Sequence, residues 1–235
     1  MTTPTAGTVP GTVQAQTAAA DETDARERRA VRNFSRAEIA FLIAVPLAWA
    51  VVLLFHGAPD PDDIYGSLRD EANRYVIVHL VSVPLIGLMG AALYLLLRDL
   101  PGRAAQIGRL AIGPFVVFYV AADAIAGVAT GVLVQHANDL PASEGAGAAE
   151  GAQALWDEFI TADLFFGIGV VSWVVAALAA AVAYRRAGAP VAITVLLGLS
   201  ALVAYHTPPP GPIGLVCFAA AAALLVRWRP ATRTG

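Results

Sequence analysis

The residues of this chain that could carry chemistry are four histidines and two aspartates in or beside long apolar stretches. Asp123 lies near the middle of one stretch, and Asp163 lies inside the next. A carboxylate at bilayer depth costs about 2.5–3.5 kcal/mol on insertion scales, so such residues usually face a bundle interior and mark function. Imidazoles can bind a metal or move protons. The histidines are His56, His79, His136 and His206.

The elements that must position these side chains are apolar runs of about twenty residues, the length that crosses a bilayer as a helix. Hydrophobic residues make up 57% of the 235 residues and charged residues only 14%, unlike a soluble domain. Helices are expected because lipid cannot satisfy backbone amides. The sequence predicts an all-α polytopic membrane protein with six transmembrane helices, at 37–56, 75–97, 110–135, 154–184, 190–206 and 212–228.

The predicted organisation has three parts. Residues 1–30 are polar and then charged, so they cannot bury enough apolar surface to offset the entropy of ordering. We expect a disordered cytoplasmic tail there. The six-helix transmembrane domain then covers 36–229, and a short cytoplasmic tail covers 230–235.

The placement of arginine predicts the orientation in the membrane. If the N-terminus is cytoplasmic, 13 of the 15 arginines lie in cytoplasmic segments, and only Arg69 and Arg74 lie outside. The positive-inside rule therefore predicts that both termini are cytoplasmic and that 57–74 and 137–153 are external. All basic residues are arginine, which with the abundant alanine, glycine and valine is typical of a GC-rich bacterial genome. The predicted location is a bacterial plasma membrane, crossed several times.

Charge and cysteine content exclude several classes of protein. The net charge of −3 has no concentrated basic face, which gives no support for nucleic-acid binding. The single cysteine, Cys217, lies in an apolar run, so neither a disulfide framework nor a thiolate metal site is expected.

In this orientation all four histidines lie at the outer ends of their helices. They are therefore the predicted ligand pool for a metal, with a divalent ion such as zinc as the candidate cofactor. The sequence has no local ligand spacing such as HxxxH, so any such site must be assembled by tertiary packing. The alternative is that imidazoles are simply accommodated at the interface.

Helical spacing predicts the surroundings of Asp123. Tyr119, Gly127, Thr130 and Gly131 share its face, and the two glycines form a GxxxG pair that allows close approach of another helix. The alternative is that the glycines only mediate packing and the aspartates only make structural hydrogen bonds. The predicted ion- or ligand-binding residues are Asp123, Asp163, His79, Tyr119 and Thr130.

Three segments are similar to those of uncharacterised six-span integral membrane proteins of high-GC Gram-positive bacteria. They are His79–Gly87, Asp123–Gly131 and Tyr205–Gly214. The resemblance covers 36–229 and implies the topology, but it brings no activity with it.

A more distant similarity is to the ceramidase and adiponectin-receptor hydrolases, which hold zinc with three histidines. It rests on the outer-end histidines and the intramembrane aspartate. This chain departs from that superfamily in having six predicted spans and in lacking paired histidines near the C-terminus.

Three functions remain open from the sequence. The first is an ion-, proton- or small-ligand-binding carrier with a His/Asp cavity on the outward side. The second is a membrane-embedded metal-dependent hydrolase acting on a lipid. The third is a non-catalytic partner or assembly subunit in a homo- or hetero-oligomer. The partners expected are the lipid bilayer and a small ion or lipid ligand. No catalytic residue can be assigned from the sequence, and whether the protein is an enzyme stays open, with a non-enzyme favoured.

Overall fold

The computed structural model describes residues 34–158 and 160–228, and the predicted tails at 1–30 and 230–235 lie outside the described residues. Every regular element among the described residues is helical. The α-helices are α1 (Arg36–Leu53), α2 (Ile64–Leu68), α3 (Ala72–Leu97), α4 (Gly102–Ala122), α5 (Thr130–Asp139), α6 (Ala142–Trp156), α7 (Phe166–Arg186), α8 (Val191–Leu199) and α9 (Pro210–Arg227). Two π-helical segments, π1 (Asp123–Ala129) and π2 (Ile160–Phe165), precede α5 and α7, and a 3₁₀ turn, Ser200–Ala204, follows α8.

Within the described residues, five helical stretches are long and apolar enough to cross a membrane, by length and composition. They are Arg36–Leu53, Ala72–Leu97, Gly102–Asp139, Asp163–Arg186 and Pro210–Arg227. The predicted span at 190–206 forms a shorter apolar helix, Val191–Ala204. The all-helical prediction is therefore confirmed, and five of the six predicted spans are long enough to cross.

The bundle is held together by close pairing of α4 with α7 and of α1 with α9, and α3 packs between α1 and α4. Large aromatic side chains fill the core, which is closely packed, and each of them buries a large apolar area. Three of them also bind polar partners. Trp49 Nε1 donates to Ser82 Oγ at 3.1 Å, Trp173 Nε1 to the carbonyl of Ser200 at 2.9 Å, and Tyr184 Oη to the carbonyl of Leu96 at 2.8 Å. These hydrogen bonds connect neighbouring helices in the apolar interior.

One end of the bundle carries a second, smaller layer, formed by α2, α5 and α6 and called here the cap layer. Its core is separate from the main core and consists of Ile64, Leu68, Ala72, Tyr75, Val134 and Ala152. Ala72 and Tyr75, which begin the buried face of α3, belong to this core. The cap layer therefore sits directly on the end of α3 that carries His79.

The structure corrects the predicted start of the fourth span at residue 154. Helix α6 ends at Trp156, and a break at Asp157 and Glu158 separates it from π2. The apolar span proper begins at Asp163. Asp163 therefore lies in the first turn of its span rather than two turns inside it, because residues 142–156 form a separate helix of the cap layer.

Helix α4 continues through π1 into α5 as one stretch of 38 residues. That is longer than a bilayer requires, and the far end joins the cap layer. The π-helical turn falls on Asp123, the first residue of π1. Short π-helical interruptions of α-helices occur frequently at functional sites.

Candidate metal site

Three of the four histidines converge at the end of the bundle beneath the cap layer. His56 follows the end of α1, His79 lies two turns into α3, and His206 lies between the 3₁₀ turn and α9. One ligand atom from each lies within 4.8 Å of the others. A tetrahedral zinc ion with bonds of about 2.0–2.1 Å holds its nitrogen ligands roughly 3.3 Å apart. The three imidazoles therefore lie close to metal-ligand spacing.

Hydrogen bonds set the tautomers of two of these rings. His79 Nδ1 lies 2.8 Å from the carbonyl oxygen of Tyr75, and His56 Nδ1 lies against the carbonyl oxygen of Gly57. Carbonyl oxygens only accept, so each Nδ1 must donate. A neutral imidazole has a single N–H, so each Nε2 then carries a lone pair. This is the arrangement usually found in metal-binding histidines, where the second nitrogen donates to a carbonyl or carboxylate.

The two Nε2 atoms face each other across 3.1 Å. Two lone pairs at that distance repel unless a cation lies against both of them. The third ring supplies a further nitrogen without a partner, because His206 Nδ1 is buried and makes no hydrogen bond. Burial lowers the pKa of both His56 and His206, which favours the neutral imidazole that binds metals.

Asp123 lies beside the three rings but stands outside the set that could share one ion. Its Oδ1 is 4.0 Å from His79 Nε2, and only 7% of the residue is exposed. Its other oxygen, Oδ2, is buried without a hydrogen bond, as is the hydroxyl of Tyr119. Tyr119 precedes Asp123 by one helical turn on α4. Buried polar atoms are normally paired, so these two atoms indicate a binding partner in the space between them.

A cavity of about 170 Å³ occupies that space. His56, His79, His206, Tyr119 and Asp123 all line it. The rest of its wall is mainly apolar and aromatic, and consists of Pro59, Tyr75, Ala122, Ala126, Gly127, Trp156, Phe166 and Thr207. The polar groups therefore converge on one region of an otherwise apolar chamber.

Both glycines of the predicted GxxxG pair lie against α3. A Cβ built on Gly127 would lie 2.1 Å from Cδ2 of His79, and one built on Gly131 would lie 2.6 Å from Cγ2 of Val76. Neither position has room for a side chain. The absence of side chains at these positions brings π1 and α5 close enough for Asp123 to reach His79.

Three predicted site residues lie apart from the cluster. Thr130 is buried, but its hydroxyl donates to the carbonyl of Ile125 at 3.2 Å and does not line the cavity. His136 is exposed on α5, because the long helix carries it beyond the bundle into the cap layer. Asp163 is exposed at the start of its span, beside Leu164 and Gly167. The structure therefore gathers His56, His79, His206, Asp123 and Tyr119, and leaves these three outside.

Two contributors were not predicted from the sequence. The carbonyl of Tyr75 orients His79, and its hydroxyl donates to the carbonyl of Ala126 at 3.2 Å, which ties α3 to π1. The position of Tyr75 four residues before His79 was the available signal, since a helical carbonyl lies under the side chain one turn later. Trp156 of the cap layer contributes part of the cavity wall, and no local pattern indicates that.

The comparisons with protein-family models, curated proteins and solved structures give no match for this chain. The resemblance to uncharacterised six-span proteins therefore stays a prediction. What the fold itself defines is a helical protein of the membrane type. Its five long helices have the length and composition to cross a bilayer, and large apolar side chains such as Val51, Leu110 and Val117 are more than half exposed on them.

Proposed function

We propose that this chain is an integral membrane protein that binds one divalent transition-metal ion, with Zn²⁺ fitting best, through His56, His79 and His206. The ion lies in the His/Asp cavity beneath the cap layer. This proposal unites the predicted ion-binding cavity with the predicted zinc cofactor and uses three of the four predicted histidines.

The observation that carries the proposal is the pair of Nε2 atoms 3.1 Å apart, each on a ring whose Nδ1 is bound to a carbonyl. A shared cation turns this repulsion between lone pairs into two coordinate bonds. Neutral imidazole suits zinc, copper, iron and nickel. Zinc is favoured because three neutral nitrogens with room for a fourth ligand are typical of tetrahedral zinc sites.

The membrane arrangement is part of the same proposal. Helix α8 and the 3₁₀ turn together rise about 23 Å, short of the roughly 30 Å of a bilayer core. They nevertheless run from the arginine-rich end, after Arg186, to His206 beside the end of α1. We therefore count Val191–Ala204 as a short sixth crossing. Both termini then face the cytoplasm of a bacterial cell, and the histidines face outward.

Metal analysis of the purified protein tests the proposal. The protein should carry an affinity tag without histidines, be equilibrated with Zn²⁺ and be freed of unbound ion. We expect one zinc per chain in the wild type and a loss of at least tenfold in affinity for His79→Ala and His56→Ala. The matched control is His136→Ala, which removes an exposed histidine and should leave the stoichiometry unchanged. A wild-type protein that binds no zinc, copper, iron or nickel stoichiometrically would overturn the proposal.

A shared proton is the second candidate, and the 4.0 Å approach of Asp123 to His79 favours it. If His79 were protonated, its Nε2 could donate to His56 while Asp123 balanced the charge. The protein would then belong to the proton-carrier class. Proton flux into liposomes, lost in His79→Ala, together with absence of bound metal would select this function.

A further inference from the structure

The cavity contains more unpaired polar groups than a metal ion alone would satisfy. The three histidines can provide three ligands, whereas zinc in proteins takes four or more. Tyr119 Oη and Asp123 Oδ2 remain buried without partners. Both line the same cavity as the histidines.

Asp123 is poorly placed to be the fourth metal ligand. Its Oδ1 approaches His79 Nε2 at 4.0 Å, but Asp123 is not in the set of ligand atoms that all lie within 4.8 Å of one another, which consists of the three histidines. It is anchored on π1, whose close packing against His79 at Gly127 fixes how the two elements approach. A metal ion held by the histidines would therefore keep a coordination position open toward the cavity.

We infer that this open position takes the oxygen of a small acyl compound whose whole size is about that of a monosubstituted benzene. This inference rests on the metal-binding function proposed above. The metal would bind the carbonyl oxygen, and the hydroxyl of Tyr119 would donate to an oxygen of the same group. Asp123 Oδ2 would accept from the adjacent N–H or O–H of an amide, hydroxamic acid or carboxylic acid. Such a group supplies both of the missing partners.

Size and lining determine the rest of the ligand. A cavity of 150 Å³ lined by apolar side chains binds benzene, and this cavity measures about 170 Å³. Ala122, Ala126 and Phe166 form an apolar wall next to Tyr119 and Asp123. A whole phospholipid headgroup with its chains does not fit such a volume. The geometry therefore favours a small amphiphilic molecule, held by its polar end at the metal.

Cobalt-substituted protein and benzohydroxamate test this inference. Co²⁺ in place of zinc has visible absorption bands that change when an exogenous ligand coordinates. We expect a saturable change with one benzohydroxamate per cobalt. Tyr119→Phe removes only the hydroxyl and should weaken binding about tenfold, the effect of losing one hydrogen bond to a polar ligand.

A second variant fills the chamber. Ala126→Phe, assayed at saturating cobalt, should weaken benzohydroxamate binding per bound cobalt by more than tenfold. The control is Ala91→Phe, since Ala91 is exposed on α3 far from the cavity, and it should bind both cobalt and hydroxamate as the wild type does.

The outcomes distinguish the proposed metal-binding function from the inference about the ligand at the open coordination position. Protein that binds cobalt but shows no spectral response to benzohydroxamate would have a closed metal site, which overturns the open position and leaves the metal function intact. Equal hydroxamate binding by wild type, Tyr119→Phe and Ala126→Phe would show coordination outside this cavity and would also overturn the inference. Absence of cobalt binding would overturn both proposals.

Discussion

The imidazole of His79 lies directly against the α-carbon of Gly127, so close that a methyl group at Gly127 would lie 2.1 Å from Cδ2 of the ring. The contact joins α3 to π1, the two elements that carry His79 and Asp123. It makes the site sensitive to a single added methyl group. The ring cannot yield easily, because its Nδ1 is bound to the carbonyl of Tyr75.

Gly127→Ala should therefore disrupt the site. The added methyl must displace either the His79 ring or π1, and overpacking of this kind typically costs about 1–3 kcal/mol. We expect zinc affinity to fall at least tenfold and thermal stability in detergent to decrease. The control is Gly87→Ala on α3, where a Cβ meets nothing within 4 Å. Equal zinc affinity in Gly127→Ala and wild type would contradict the observed packing.

Asp123→Asn should preserve the fold while weakening the metal site. The amide is nearly isosteric and less costly to bury than a charge, but it cannot ionise beside a metal ion, unlike the carboxyl group whose Oδ1 lies 4.0 Å from His79 Nε2. Partners beyond the direct ligands usually contribute 10- to 100-fold to metal affinity, and we expect a loss in that range by zinc titration. Asp163→Asn is the matched control, because Asp163 is exposed and away from the histidines. If the two variants bind zinc equally, Asp123 has no role in the site.

Ser82→Ala should destabilise the bundle without affecting the metal. The substitution leaves the buried Trp49 N–H without its acceptor, a loss of about 1–3 kcal/mol. We expect a lower unfolding temperature in detergent and an unchanged zinc stoichiometry. Ser143→Ala, at an exposed position of α6, should change neither quantity. A Ser82→Ala protein as stable as the wild type would mean that the indole finds another acceptor.

Cysteine labelling tests the orientation. The single native cysteine, Cys217, lies in α9 and should be replaced by alanine first. Ser143→Cys in α6 should then react with an impermeant thiol reagent added to intact cells, whereas Gln106→Cys in α4 should react only after lysis. Both positions are exposed in the structure. The reverse pattern would invert the proposed topology.

The helical spans were largely predictable because crossing length is a local property of the sequence. Runs of about twenty apolar residues need no knowledge of their neighbours to be recognised, and five of the six spans meet that length in the structure. The helix at 142–156 was not predicted, since 137–153 was assigned to an external segment and the fourth span was expected to begin at 154. Packing against α5 makes these residues a helix of the cap layer instead.

The candidate site was predictable only as a pool of residues. Residue type and depth pointed to Asp123 and to the histidines, but nothing local distinguishes His136 from His56, His79 and His206. With the fourth span starting at residue 154, Asp163 was expected to lie inside the membrane, as Asp123 was. That expected depth depended entirely on where the helix begins. Its position became clear only with the break at Asp157 and Glu158.

The sequence by itself determined the coarse class of the protein and the residue types at the ends of its helices, because both follow from hydropathy and charge along one chain. The tertiary structure alone decided which of those residues meet. His56, His79 and His206 come from three separate elements, and a π-helical turn at Asp123 directs a carboxylate toward them. The close approach of π1 and α5 to α3 depends on the absence of side chains at Gly127 and Gly131. The cap layer packs on the same end of α3. Such packing forms between segments that are distant in the sequence, so it cannot be predicted from residue spacing along the chain.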